Sequence, residues 1–76
     1  MSKFIYTNHA KIRFDQRKLS ENIVEDAILH PDRILPGMIN KTLAQKNING
    51  KTLEVVFVKE NDKFVIITAY YLEEEN

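Results

Sequence analysis

The sequence predicts an α+β domain in which two N-terminal helices pack on a three- to four-stranded antiparallel sheet. Three observations lead there. Two helix-cap signals, at Thr7-Asn8 and at Ser20, each open a run free of Gly and Pro. From Thr42 onward, apolar residues recur with a period of two. Between two of these runs sits Asn49-Gly50, the dipeptide that best signals a tight hairpin.

Thr7 or Asn8 caps a first helix from about His9 to Lys18, built from good or tolerable helix formers. Ser20 caps a second. Leu19 before it and Val24 after it occupy the two positions of a hydrophobic staple, and Glu21 and Glu25 lie where the helix dipole favours carboxylates. Ile23, Val24, Ala27 and Ile28 cover an arc of about 140° at roughly 100° per residue, which predicts a core-facing stripe. His30-Pro31 stops the helix, because proline disfavours helical geometry in the residue before it.

Asp32–Leu35 is expected as a short edge strand before a Pro36-Gly37 turn. The strands Thr42–Ile48, Lys51–Lys59 and Phe64–Leu72 follow, the last two separated by a turn at Asn61-Asp62. A two-residue turn at Asn49-Gly50 pairs Ile48 with Lys51, Lys46 with Leu53 and Ala44 with Val55. Continuing the ladder regularly from Lys59 opposite Phe64 puts Val55 against Thr68 and Leu53 against Tyr70. One face then carries Ala44, Lys46, Ile48, Leu53, Val55, Phe57, Phe64, Ile66, Thr68 and Tyr70, and this is the face assigned to the helices. The Glu73–Asn76 end is expected to fray.

The chain of 76 residues reads as one domain, 1–76, and its lack of cysteine excludes a disulfide framework and thiolate metal sites. The leading MSKFIYTNHAK has no apolar signal stretch, and no run approaches the roughly 20 apolar residues that span a bilayer. A soluble, cytoplasmic protein without membrane contact is expected. Eleven basic and eleven acidic side chains cancel, so overall charge does not argue for nucleic acid. Their distribution is uneven: Lys3, Lys11, Arg13, Arg17 and Lys18 oppose only Asp15 in the first eighteen residues.

His9, Arg13 and Arg17 lie at i, i+4 and i+8, one helical stripe about 80° wide. Ala10 and Phe14 flank it on one side and Ile12 on the other, whereas Lys11, Asp15 and Lys18 occupy the opposite arc. Guanidinium groups set among apolar residues need carboxylates, carbonyls, a cleft or an anion, since uncompensated burial costs several kcal/mol each. One solution is an internal ion network with Glu54 or the carboxylates of the second helix. The other is a cleft between the first helix and the sheet, floored by Lys46, Thr68 and Tyr70. Histidine or tyrosine there can move the proton of a 2′-hydroxyl or of a leaving oxygen, while arginine and lysine hold the phosphate. That set suits metal-independent RNA strand cleavage. His9 and His30 fall on different elements, with no cysteine and no ligand spacing, so neither zinc nor a cofactor is expected.

The run from His9-Ala10 through Arg13 and Arg17 to Leu19-Ser20 resembles the H-A-x-x-R-x-x-x-R-x-[IL]-[ST] signature of a small bacterial family of domains of unknown function. The likeness continues through His30-Pro31-Asp32, Ile48-Asn49-Gly50-Lys51, Leu53–Phe57 and Ile66–Tyr70, about residues 7 to 71. That family is similar to the ribonuclease group of barnase, EndoU and colicin-type nucleases and RelE-like toxins. The resemblance implies an mRNA-interferase type of toxin that acts on RNA and is restrained by a cognate antitoxin protein. By position it carries over His9, Arg13, Arg17 and Thr68, while Lys46 and Tyr70 come from the register. The expected catalytic set is therefore His9, Arg13, Arg17, Lys46, Thr68 and Tyr70. The alternative is a non-catalytic binding module that docks a protein or RNA partner on the arginine stripe.

Overall fold

Lys3-Phe4-Ile5-Tyr6 alternates aromatic and polar or β-branched side chains, and it forms the first strand, β1 (Lys3–Tyr6), of the computed structural model, which describes residues 3–72. The expected frayed end, Glu73–Asn76, lies outside the described residues. Then follow α1 (Asn8–Arg17), α2 (Glu21–Leu29), β2 (Arg33–Pro36), β3 (Thr42–Ile48), β4 (Lys51–Glu60) and β5 (Lys63–Tyr71). All five strands join one sheet in the order β1-β5-β4-β3-β2.

This corrects the expected architecture. The fold is α+β, but the sheet has five strands and is mixed, since β1 runs parallel to β5 with Phe4 beside Phe64 and Tyr6 beside Ile66. The helices are also not the first elements: they form the connection out of β1. Packing explains why so short a strand is held. Phe4 stacks on Phe64 at 5.4 Å between ring centroids, and Tyr6 meets Phe14 edge-on at 5.7 Å. The Tyr6 hydroxyl also donates to Glu25 Oε2 at 2.5 Å, tying β1 to α2.

The helix ends match their signals. Thr7 Oγ1 accepts from the Ala10 amide at 3.0 Å, and Ser20 Oγ accepts from the Ile23 amide at 3.2 Å. Lys18 closes α1 in the left-handed region at φ 56°, with the Leu19 amide donating back to the Phe14 carbonyl at 2.9 Å. Ala10 and Phe14 of α1, Leu19, and Val24, Ala27 and Ile28 of α2 are buried against Ala44, Leu53, Val55, Phe57, Ile66 and Ala69 of the sheet. The core thus lies between the helices and one sheet face.

Asn49 and Gly50 both take positive φ, 54° and 89°, as a type I′ turn requires, and the β3–β4 register follows: Ile48 opposes Lys51, Lys46 opposes Leu53 and Ala44 opposes Val55. The next ladder departs from expectation. Lys59 opposes Phe64, but Phe57 pairs with Ile66 and Val56 with Thr68, which leaves Ile67 as an extra residue in β5. Beyond this bulge Ala69 faces Val55, Tyr71 faces Leu53 and Tyr70 faces Glu54. Thr68 and Tyr70 therefore leave the helix face assigned to them and join the open face with Glu54 and Val56. Ala69 and Tyr71 replace them against the core.

Among the described residues, no helix is long and apolar enough to cross a membrane.

Candidate functional site

The stripe on α1 runs along the margin of β5. Because β1 pairs only with Lys63–Ile66, the strand from Ile67 to Tyr71 keeps an edge that no described strand covers. Arg17 reaches this edge: its Nη1 donates to the Ala69 carbonyl at 3.1 Å and makes a long 3.5 Å contact with Thr68 Oγ1. Its guanidinium carbon also lies 6.0 Å from the centre of the Tyr70 ring. Arg17 thereby links the helix to the open face around the sheet's margin. One turn back, Arg13 Nη1 donates to Gln16 Oε1 at 3.3 Å, and its Nε approaches the exposed His9 ring at Nε2, 3.5 Å away.

Neither arginine meets a carboxylate among the described residues. The salt bridge formed among the described residues is Lys46–Asp26, at 3.6 Å. An internal ion network of Arg13 and Arg17 with Glu54 or the α2 carboxylates is therefore not what the fold builds. Nor is the stripe set deep in apolar surroundings: Ala10 and Phe14 are buried on one flank, but Ile12 on the other is 58% exposed. The stripe is an accessible cationic ridge bordering the core.

Of the six residues expected in the site, five gather in this region. His9, Arg13 and Arg17 form the ridge, and Thr68 and Tyr70 stand beside it, brought there by the bulge from the other face. Lys46 is separate: its ammonium donates to the His30 carbonyl at 2.8 Å and pairs with Asp26, closing the C-terminal end of α2. That geometry is favourable for the helix dipole and leaves Lys46 a structural role.

Glu54 belongs to the site and was missed as a member of it. It is 7% exposed, in the central strand on the open face, and is the buried charged residue of the described chain. Tyr70 Oη donates to its Oε2, and Gln45 Nε2 donates to its Oε1 at 2.7 Å. A lone buried carboxylate costs several kcal/mol, which these two donors offset. The pairing acts on Tyr70 in turn: its pKa is pushed up to about 12, first by the hydrogen bond to Glu54, then by burial and by the Glu54 charge, with Arg17 opposing. Tyr70 thus stays protonated at neutral pH. Tyr6 is raised further by burial and by its bond to Glu25, but its hydroxyl serves the β1–α2 contact. The signal that could have revealed Glu54 is a single acidic residue inside the otherwise apolar run Leu53–Val58.

No group of three His, Cys, Asp or Glu side chains among the described residues is placed to hold a metal ion. The arrangement offers an exposed imidazole, two guanidinium groups that no described carboxylate pairs, a hydroxyl, and a phenol held by a buried carboxylate. This is the donor-rich, acceptor-poor set that suits an anionic ligand such as a phosphodiester.

An α+β domain with a histidine–arginine ridge beside a sheet edge that no described strand covers is the class that fold and site define. Residues 6–71 match the family model DUF4258, a domain of unknown function, and the chain belongs to that family. Neither the curated proteins nor the solved structures contain a match.

Proposed function

We propose that this protein is a ribonuclease of the toxin type, which cleaves RNA without a metal ion and is restrained in the cell by a cognate antitoxin protein. The observation that carries the reading is that Arg13 and Arg17, two aligned cations beside an accessible imidazole, have no carboxylate partner among the described residues. In this reaction the 2′-oxygen loses its proton and attacks phosphorus, the bond from phosphorus to the 5′-oxygen breaks, and that oxygen leaves with a proton. Arg13 and Arg17 stabilise the charge that builds on the phosphoryl oxygens. His9 is the proton-transfer group, and Tyr70, kept protonated by Glu54, is a hydrogen-bond donor or relay beside Arg17. The toxin role and the antitoxin rest on the resemblance of the motif to RelE-like and barnase-type nucleases. The test is cleavage of single-stranded RNA by pure protein in excess chelator, with His9→Ala as the inactive control.

One observation favours a second reading. Arg17 already donates to the Ala69 carbonyl, so part of the ridge docks α1 on β5. A non-catalytic module would use the remaining cations to bind RNA or an acidic partner. It would retain RNA binding with no cleavage, and His9→Ala would leave affinity unchanged.

A further inference from the structure

Glu54 and Tyr70 are the middle of a longer row. The register sets Arg33 of β2 beside Gln45 of β3, Gln45 beside Glu54 of β4, and Glu54 beside Tyr70 of β5. All four lie on the face that the helices leave open, with Gln45, Glu54 and Tyr70 joined by hydrogen bonds and Arg17 closing the row over the Tyr70 ring. The strands β2 to β5 put the ends on the order of 14 Å apart at about 4.8 Å per step. An open sheet face crossed by a polar row with a buried carboxylate at its centre is not explained by stability, because apolar packing there costs less.

At the β2 end of the row the surface forms a recess of about 270 Å³, lined by Asp32, Arg33, Gln45, Lys46, Asn47 and Thr52. Its lining is already partly fixed. Asp32 Oδ2 accepts from the Asn47 amide at 2.8 Å, Asn47 Oδ1 accepts from the Gly50 amide at 3.1 Å, and Gln45 Nε2 is held by Glu54. These bonds orient the side chains and leave Gln45 Oε1, Asn47 Nδ2, the second Asp32 oxygen and the Thr52 hydroxyl to face a ligand. Both donors and acceptors thus line the recess, with Asp32, Asn47 and Gln45 held by these bonds and Arg33, with its planar guanidinium, also in the lining. A simple anion would find Asp32 repulsive; the edge of a nucleobase matches the mixture, and a guanidinium plane is a stacking surface for its ring.

We infer that this recess is a nucleobase subsite, the far end of a single-stranded RNA track that crosses the open sheet face from Arg17 to Arg33. The inference deepens the ribonuclease reading and rests on it for the choice of RNA. It gives the sheet's polar row a purpose: the row carries the chain between the phosphate held at the ridge and a base held in the recess.

The test compares a dinucleotide, too short to reach from the ridge to the recess, with an octanucleotide of single-stranded RNA. Wild type, Arg33→Ala and Thr52→Val are assayed for KM and kcat, and the side-chain amide signals of Gln45 and Asn47 are followed by NMR as octanucleotide is added. Both variants change exposed or half-buried side chains that make none of the row's hydrogen bonds, and thermal melts confirm that they fold. The subsite predicts a rise in KM of about tenfold for the octanucleotide, with kcat and the dinucleotide KM unchanged, as for loss of one base contact. Cleavage by wild type with no length-dependent effect of either variant overturns the subsite and leaves the ribonuclease reading intact. If wild type cleaves nothing, the catalytic reading falls, and the NMR titration decides the subsite: saturable shifts at both amides uphold it, and their absence overturns it.

Discussion

Tyr70 and Glu54 face each other across β5 and β4, and the Tyr70 phenol donates a hydrogen bond to the Glu54 carboxylate. This pairing predicts a titration. An ordinary tyrosine ionises near 10, whereas Tyr70 does so at about 12. Because its folded pKa is raised, the stabilisation from this group is fully present below about pH 10 and is lost as pH rises through about 12. In Glu54→Gln the Tyr70 ionisation should fall toward the ordinary value. Ultraviolet titration of the variant, with Tyr70→Phe subtracted to isolate this phenol, checks it; an unchanged high-pH transition would contradict the pairing.

Removing the phenol tests the same contact from the carboxylate's side. Tyr70→Phe leaves buried Glu54 with Gln45 as its remaining donor, and loss of a partner by a buried charged group costs about 1–3 kcal/mol. The double variant Tyr70→Phe with Glu54→Gln should recover part of the loss. Urea melts of the three proteins, read as a double-mutant cycle, measure the coupling, and strict additivity would refute it.

Tyr6 should matter to stability although it lies outside the expected elements. Its hydroxyl bridges β1 to Glu25 on α2, so Tyr6→Phe should cost about 1–2 kcal/mol in denaturant melts. A neutral result would mean that β1 is held by its aromatic stacking alone.

The two sheet faces should respond unequally. Phe57, 5% exposed among Val55, Phe64 and Ile66, should cost about 3–5 kcal/mol on truncation to alanine. Val58, half-buried on the open face, should cost clearly less. Equal losses would imply that a second layer covers the open face in solution.

Much of this fold is legible in the sequence where local chemistry decides. Thr7 and Ser20 cap the helices, Asn49-Gly50 fixes the β3–β4 register, and both follow from interactions within a few residues. What is not legible depends on distant partners. Lys3–Tyr6 is too short to read as a strand until Phe64 and β5 are in place to receive it. The extra residue at Ile67 leaves no mark, because Val65–Ile67 is apolar throughout and lacks the glycine that would advertise a bulge. That single residue moved Thr68 and Tyr70 across the sheet. The arginine stripe was legible from helical spacing, and its neighbours Thr68 and Tyr70 reached it by way of Arg17 at the strand edge rather than through a cleft under the helix. Lys46, read correctly in register, serves the end of α2, where its ammonium meets the His30 carbonyl and Asp26.

The central claim is that the ridge binds and cleaves RNA, with His9 and Arg13 serving that chemistry and not the stability of the fold. The most direct measurement pairs a thermal melt with single-stranded RNA cleavage in chelator for wild type, His9→Ala and Arg13→Ala. With no carboxylate partner among the described residues, Arg13→Ala should cost less than about 1 kcal/mol of stability, and the same holds for the exposed His9. Cleavage should fall on the order of a hundredfold or more in each, as when a proton-transfer or charge-stabilising group is removed. Full activity in both variants, or no cleavage by pure wild type together with a strongly lowered melting temperature for Arg13→Ala, would contradict the account.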